Sequence, residues 1–290
     1  MRTSALPDGT RVSRVHLRTA NLERALGFYE GVLGLLVLTR DQASATLGSA
    51  QAGPVLIQLS EDRQATPRPS RCTGLYHLAL RYPARGDLAR VLRRLARDNW
   101  PISGASDHLV SEAIYLDDAD GNGVELYTDR PRNQWKWQGD QVLMSTERLD
   151  VDALLATLEG EPSKAAWPPA VDLGHIHLHV ADLQAAEWFY HDYLGLAVTQ
   201  REYPGALFLS AGRYHHHVAV NTWSGRLPPP ANAIGLISYR LEVPVEEVLY
   251  CLRNRAPLSG YEARPAPGRE AGSVLQIRNP NGHWLEVENP

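Results

Sequence analysis

Val12–Leu35, VSRVHLRTANLERALGFYEGVLGL, and Leu173–Leu196, LGHIHLHVADLQAAEWFYHDYLGL, are one pattern written twice. His16 lines up with His177, Phe28-Tyr29 with Phe189-Tyr190, and Gly34 with Gly195, each displaced by 161 residues. The same displacement carries GLYHLALRYP (Gly74–Pro83) onto GLISYRLEVP (Gly235–Pro244) and sets Glu125 of DGNGVELY over Glu286 of PNGHWLEV. A displacement that holds at both ends of a half, without a net gap, marks a duplicated unit.

Each half divides again. VHLRT alternates apolar and polar residues, the period of a half-buried strand, and Leu22, Ala25, Leu26 and Tyr29 then fall on one helical face. LGL and two or three further strands follow. GLYHLALRYP, a helix in DLARVLRRLARDNW and strands ending at VELYT repeat this plan. Four βαβββ modules are therefore expected, at 10–60, 73–130, 172–223 and 235–290. They group into an N-terminal domain, 10–130, and a C-terminal domain, 170–290. The linker between, 131–169, holds PRNQWKWQGDQ, a helix in VDALLATLEG and the proline-rich PSKAAWPPA, and is expected to pack on the surface.

Composition narrows the class. With 290 residues, 43% of them hydrophobic and 21% charged, the chain can bury a sizeable core. A net charge of −4 gives no reason to expect nucleic acid or an anionic membrane as partner. No apolar run has transmembrane length, and MRTSALPDGT lacks the apolar core of a secretory signal. Cys72 and Cys251 are too few for a disulfide framework or a thiolate metal cage, so a cytoplasmic location is expected. Eleven histidines, by contrast, invite a search for a site.

Four modules with this strand-helix-FY-x-x-x-LGL pattern resemble the vicinal oxygen chelate superfamily over nearly the whole chain. The resemblance implies an α+β fold in which two tandem glyoxalase/bleomycin-resistance-like domains build cup-shaped sheets, with a divalent metal inside the cup. Its members include glyoxalases, resistance proteins and ring-cleaving dioxygenases, so the fold alone does not choose the chemistry.

The superfamily places metal ligands on the first and last strands of a module. Arg14, His77, His175 and Ser238 occupy the first-strand position, and Glu125 and Glu286 a last-strand position. His77, Glu125 and His175 form a two-histidine, one-carboxylate set, which suits Fe(II) or Mn(II) and leaves positions for substrate and O2. Asp107–Glu125, DHLVSEAIYLDDADGNGVE, resembles the signature of type I extradiol dioxygenases: His108, Tyr115, the Asp118-Ala119-Asp120-Gly121 turn, then Glu125. It departs at Ser106, where the pattern prefers Gly or Asn, and at Ala119, where it has proline. In GRYHHHVAVN (Gly212–Asn221) a His-His pair matches the family's acid/base histidine. His216 ranks first, with His215 or His217 second, because neighbours on a strand point to opposite faces.

The resemblance implies Fe(II)-dependent extradiol cleavage of a catechol-type ring by O2 to a hydroxymuconic semialdehyde-type product. His216 would move protons, and His108 and Tyr115 would hold the substrate oxygens. His177, His215 and Trp223 are candidate substrate contacts, with His179 on the same sheet face as His177. Tyr203 and the LPPPANA loop near 227–233 would shape the entrance. The partner implied is a small aromatic diol. A homodimer is the default assembly. The active cup would join modules two and three, within one chain or across a dimer.

Plainer readings exist for each residue. A strand histidine is usually a half-buried core residue, GNGVE makes an ordinary hairpin, and HHH can bind stray metal. Coincidence weighs against them. The positions displaced by 161 from His77, His108, Tyr115, Glu125, His175 and His216 hold Ser238, Arg269, Gln276, Glu286, Arg14 and Val55, and all but Glu286 have lost the chemistry. Three other functions share the fold. A hydroquinone-cleaving dioxygenase uses the same ligand set. A glyoxalase-type isomerase presents carboxylates from both modules, where HHHVAVN stands here. A non-catalytic aromatic-binding protein would need no metal.

Overall fold

The computed structural model describes residues 5–159, 170–267 and 273–290. Most of the proline-rich linker segment, and Arg269, lie outside them. The fold is α+β: four βαβββ modules whose strands form two curled sheets. Each sheet takes one module from each half of the chain. Modules two and three share the nine-stranded sheet, and modules one and four the eight-stranded one. The join in the first is antiparallel pairing of Gly74–Arg81 with Asp172–His179. In the second it is Arg11–Thr19 with Gly235–Glu242. The cup that unites modules two and three therefore forms within one chain.

Period-two patterning explains how these strands face two ways. Leu78 and Leu80, Val124 and Leu126, and Ile176 and Leu178 are buried in the core that both sheets share. The residues between them, His77 and Ala79, Glu125 and Tyr127, and His175 and His177, face the cup. Helix Arg85–Arg97 covers the sheet's other side with Leu88, Val91, Leu92 and Leu95.

The FY-x-x-x-LGL segment differs from the single helix expected. Leu22–Leu26, capped by Asn21, passes into a π-turn at Gly27–Val32, and Leu183–Glu187, capped by Asp182, passes into another at Trp188–Tyr193. Successive residues of an α-helix diverge by about 100°. The wider turn lets adjacent Phe28 and Tyr29, both fully buried, enter the core together. Gly34 and Gly195 close the motif at φ 78° and 95°, where a side chain would be strained. Tyr29 then donates to Asp118 Oδ2 at 2.8 Å, which ties module one to the turn that precedes Glu125.

The linker also differs. Its helix is short, Val151–Ala156, capped by Asp150. Trp135 and Val142 are buried against Val110 and Tyr214, and Met144–Thr146 pass inward to the cup instead of over the surface. Among the described residues no helix is long and apolar enough to cross a membrane.

Candidate active site

Strand register builds the centre. Ala79 pairs with His175 on one side and with Glu125 on the other. Neighbouring strands lie about 4.8 Å apart, so His175 and Glu125 flank a methyl group and reach toward each other over it. His77, two residues before Ala79, points to the same face. His77 Nε2 lies 2.9 Å and His175 Nε2 3.1 Å from Glu125 Oε2. The three donor atoms are all within 4.8 Å of one another, and all three residues are buried.

These donors fit a divalent metal. Both histidine nitrogens stand within 3.1 Å of one carboxylate oxygen, close enough for the three groups to hold one ion. His77 Nε2, although near Glu125, is out of line for a hydrogen bond and, among the described residues, has no other partner. Burial lowers His175 to about 4, so its imidazole is neutral and keeps a lone pair to give. Burial also pushes Glu125 up, but His175 and His77 outweigh it and hold the carboxyl well below its ordinary range. A buried carboxylate is costly until a cation joins it.

Beside the centre lies a cavity of about 420 Å³. His108 donates from Nδ1 to the Ser145 carbonyl at 2.7 Å, so its Nε2 accepts from the Tyr115 hydroxyl, also at 2.7 Å. Tyr115 stands opposite Glu125 in the strand register. Burial, then the Glu125 charge, hold its phenol far above the usual value, so it stays a donor. The substitution of Ala119 for proline leaves the turn intact. Asp118 Oδ1 accepts the backbone N–H of Asp120 at 2.9 Å and of Asn122 at 2.8 Å. Ser106 lines the cavity.

The HHH run corrects one expectation. Its residues precede strand Val218–Asn221 instead of lying in it, so alternation does not sort them. His216 lines the cavity with its ring centroid 4.1 Å from that of His175. His215 is off the cavity wall. It is fully buried behind His216, bonded through Nδ1 to His216 Nδ1 at 2.8 Å and through Nε2 to Asp129 Oδ1 at 3.0 Å. His215, expected to contact substrate, is not among the residues that line the cavity. His217 turns away and stacks on Tyr214.

His177 is opposite His77 in register and lines the cavity, and Asn221 Nδ2 donates to its Nε2 at 2.8 Å. His179 donates to the same amide's oxygen at 2.6 Å. Trp223 and Tyr203 also line the cavity. The 227–233 loop instead bridges to Cys72 and Thr66, away from it. Sequence reasoning missed Tyr76, Phe208 and Met144–Thr146, which complete the wall. The Val218–Asn221 neighbourhood signalled none of them, because they come from loops and strands far apart in the chain.

The other sheet repeats the row with different side chains. Arg14, Arg240 and Glu286 stand where His175, Ala79 and Glu125 stand in the first. Arg240 approaches Glu286 Oε2 through Nε at 3.0 Å and NH2 at 2.7 Å, and Arg14 pairs with the same oxygen. Burial raises Glu286, but the two guanidinium groups hold it below its ordinary value. Here the cation is part of the chain.

Two metal-competent modules meeting in one cup, with the other pair neutralised by arginine, place the chain in a known class. It belongs to the Glyoxalase/Bleomycin resistance protein/Dioxygenase superfamily, whose pattern matches residues 11–126 and 172–287. It is similar to the catechol-2,3-dioxygenase of Bacillus subtilis (strain 168), 41% identical over 283 residues, with 96% of each chain covered. That kinship sets it on the dioxygenase side of the family. Solved structures share the fold at lower identity. Maize glyoxalase I superposes with a TM-score of 0.60 at 15% identity, over 97% of this chain and 92% of that one. A further Bacillus subtilis crystal structure gives 0.70 at 14% identity, over 99% and 86%.

Proposed function

We propose that the chain is an Fe(II)-dependent extradiol dioxygenase that opens a catechol-type ring, adding both atoms of O2 to give a hydroxymuconic semialdehyde-type product. The observation that carries this reading is the buried His77–Glu125–His175 set opening on a cavity that also receives His216, His108 and Tyr115. Kinship with the Bacillus catechol-2,3-dioxygenase supports it. Mn(II) accepts the same ligands.

When bound, the metal supplies a Lewis-acidic centre that favours loss of a diol proton and brings diol and O2 together. The side chains do the rest. His216 takes the proton at its cavity-facing nitrogen and later returns it, and the burial that keeps it neutral leaves it ready to accept. Tyr115, protonated, would turn its single O–H from His108 Nε2 to a substrate oxygen as charge develops there. Tyr76, Phe208, Trp223 and His177 form an aromatic slot for a flat ring. Every one of these groups comes from a single chain, so turnover needs no partner copy.

Oxygen uptake with catechol after anaerobic Fe(II) loading, read with the yellow absorbance of the ring-opened product, tests the proposal. Uptake with colour supports it. Uptake with hydroquinone alone shifts the substrate class, and no uptake with any diol defeats it.

A further inference from the structure

Asp129 ends the Gly123–Asp129 strand that carries Glu125, and it takes part in no step described above. Its carboxylate is partly buried, with the side chain 22% exposed, and three donors converge on it. These are His215 Nε2 at 3.0 Å, the Tyr214 hydroxyl at 3.0 Å and Arg81 NH1 at 3.2 Å. His215 is fully buried between Trp135, Tyr214 and Tyr127, and among the described residues its ring has two polar partners, Asp129 and His216.

The direction of each bond follows from what the groups can do. A carboxylate only accepts, so His215 Nε2 donates to Asp129. Where His215 carries that one proton alone, its Nδ1 is bare and accepts. The partner 2.8 Å away is His216 Nδ1, which therefore donates. With its proton on Nδ1, His216 has a bare Nε2, the nitrogen left for the cavity. A histidine's tautomer is set by the bond its other nitrogen makes.

We propose that Asp129 and His215 are positioning residues that lock His216 into the Nδ1–H tautomer, so that the lone pair on Nε2 faces the substrate. The inference rests on His216 being the proton acceptor of the proposed reaction. The transferred proton goes from the diol oxygen to His216 Nε2 and back, while the Nδ1–H···Nδ1 bond to His215 stays in place. A wrong tautomer would present an N–H to the diol and leave it nothing to accept the proton.

Two measurements test the lock. In the full chain labelled with 15N-histidine and loaded with Zn(II), long-range proton–nitrogen correlations should find His216 protonated at Nδ1 and bare at Nε2. Finding the proton on Nε2 overturns the proposal, whatever the enzyme's activity. In the iron-loaded enzyme, Asp129→Asn should keep iron and KM but lower kcat on the order of 10²-fold. The same variant should move the His216 proton to Nε2 in the spectrum, and Asp129→Glu should restore part of both. A folded, iron-loaded Asp129→Asn variant with wild-type kcat also overturns it. If the wild type cleaves no diol, the functional reading fails while the spectrum still decides the lock.

Discussion

Ala79 and Arg240 hold the same place in the two sheets, each on the middle strand of a three-residue row that ends in a buried glutamate. Over Ala79 the space is open and three donors converge. Over Arg240 a guanidinium fills that space and lies against Glu286. The fold thus answers one electrostatic problem, a buried carboxylate, in two ways. One row recruits an ion and the other supplies its own cation.

Ala79→Arg should therefore convert the active row into a copy of the inert one. The guanidinium would pair with Glu125, metal content should fall from one ion per chain to near none, and the thermal midpoint should change little. Ala79→Ser should keep the metal. Metal analysis and thermal melting on the same samples check both outcomes. A metal-loaded Ala79→Arg variant would contradict the account of the row.

Gly174 precedes His175 at the irregularity in the strand pairing. A Cβ there would lie 1.5 Å from the Tyr127 hydroxyl oxygen, which itself bonds Tyr214 at 2.7 Å. Tyr127 also packs on His175, ring centroids 4.9 Å apart. Gly174→Ala should displace Tyr127, destabilise by roughly 1–3 kcal/mol and weaken metal binding through His175. Urea unfolding and a metal titration measure the two effects.

His216→Ala and Tyr115→Phe separate chemistry from metal holding. Neither residue is a ligand in the proposed centre, so both variants should keep their metal. Loss of the proton acceptor should lower turnover by about 10²–10⁴-fold. Tyr115→Phe removes one oriented donor and leaves His108 Nε2 unpaired, and a loss of about 10²-fold is expected. Full activity of His216→Ala would remove the acid/base role from this residue.

Stability should fall in mild acid partly for a reason outside the site. Burial, then Arg68 and Arg278, lower His283 to about 4, and burial, then Arg14, lower His16 to about 4. An unfolded histidine titrates near 6.5. Between those values the unfolded chain binds the protons that the native state refuses. The stabilisation is thus complete above about pH 6.5 and is lost as pH falls toward 4, at about 1.4 kcal/mol per pH unit for each residue. His283→Gln should flatten the slope of urea-derived stability over that window, and an unchanged slope would contradict the assignment.

The repeat made the four modules legible, because their pattern recurs 161 residues away. The resemblance, which places ligands on the first and last strands of a module, points to His77, Glu125 and His175, and a strand period of two is consistent with their shared face. Other features depend on contacts that sequence order hides. Met144–Thr146 looked like surface linker, yet the Ser145 carbonyl sets the His108 tautomer. HHH read as strand because VAVN follows it, but Gly212 and Arg213 take left-handed φ of 60° and 51° and turn the chain just before it. Ala79 carried no signal at all. A small residue matters there only because His175 and Glu125 flank it, and that row exists only once modules two and three pair.

Metal stoichiometry across four variants tests the whole construction most directly. After anaerobic Fe(II) loading and desalting, the wild type should hold one iron per chain. His77→Ala, Glu125→Ala and His175→Ala should each lose it, with affinity down by more than about 10²-fold, beyond what removal of an outer partner costs. Glu286→Ala, in the arginine-filled row, should keep it. Iron retained by the three ligand variants, or lost with Glu286, would contradict a single centre shared by modules two and three.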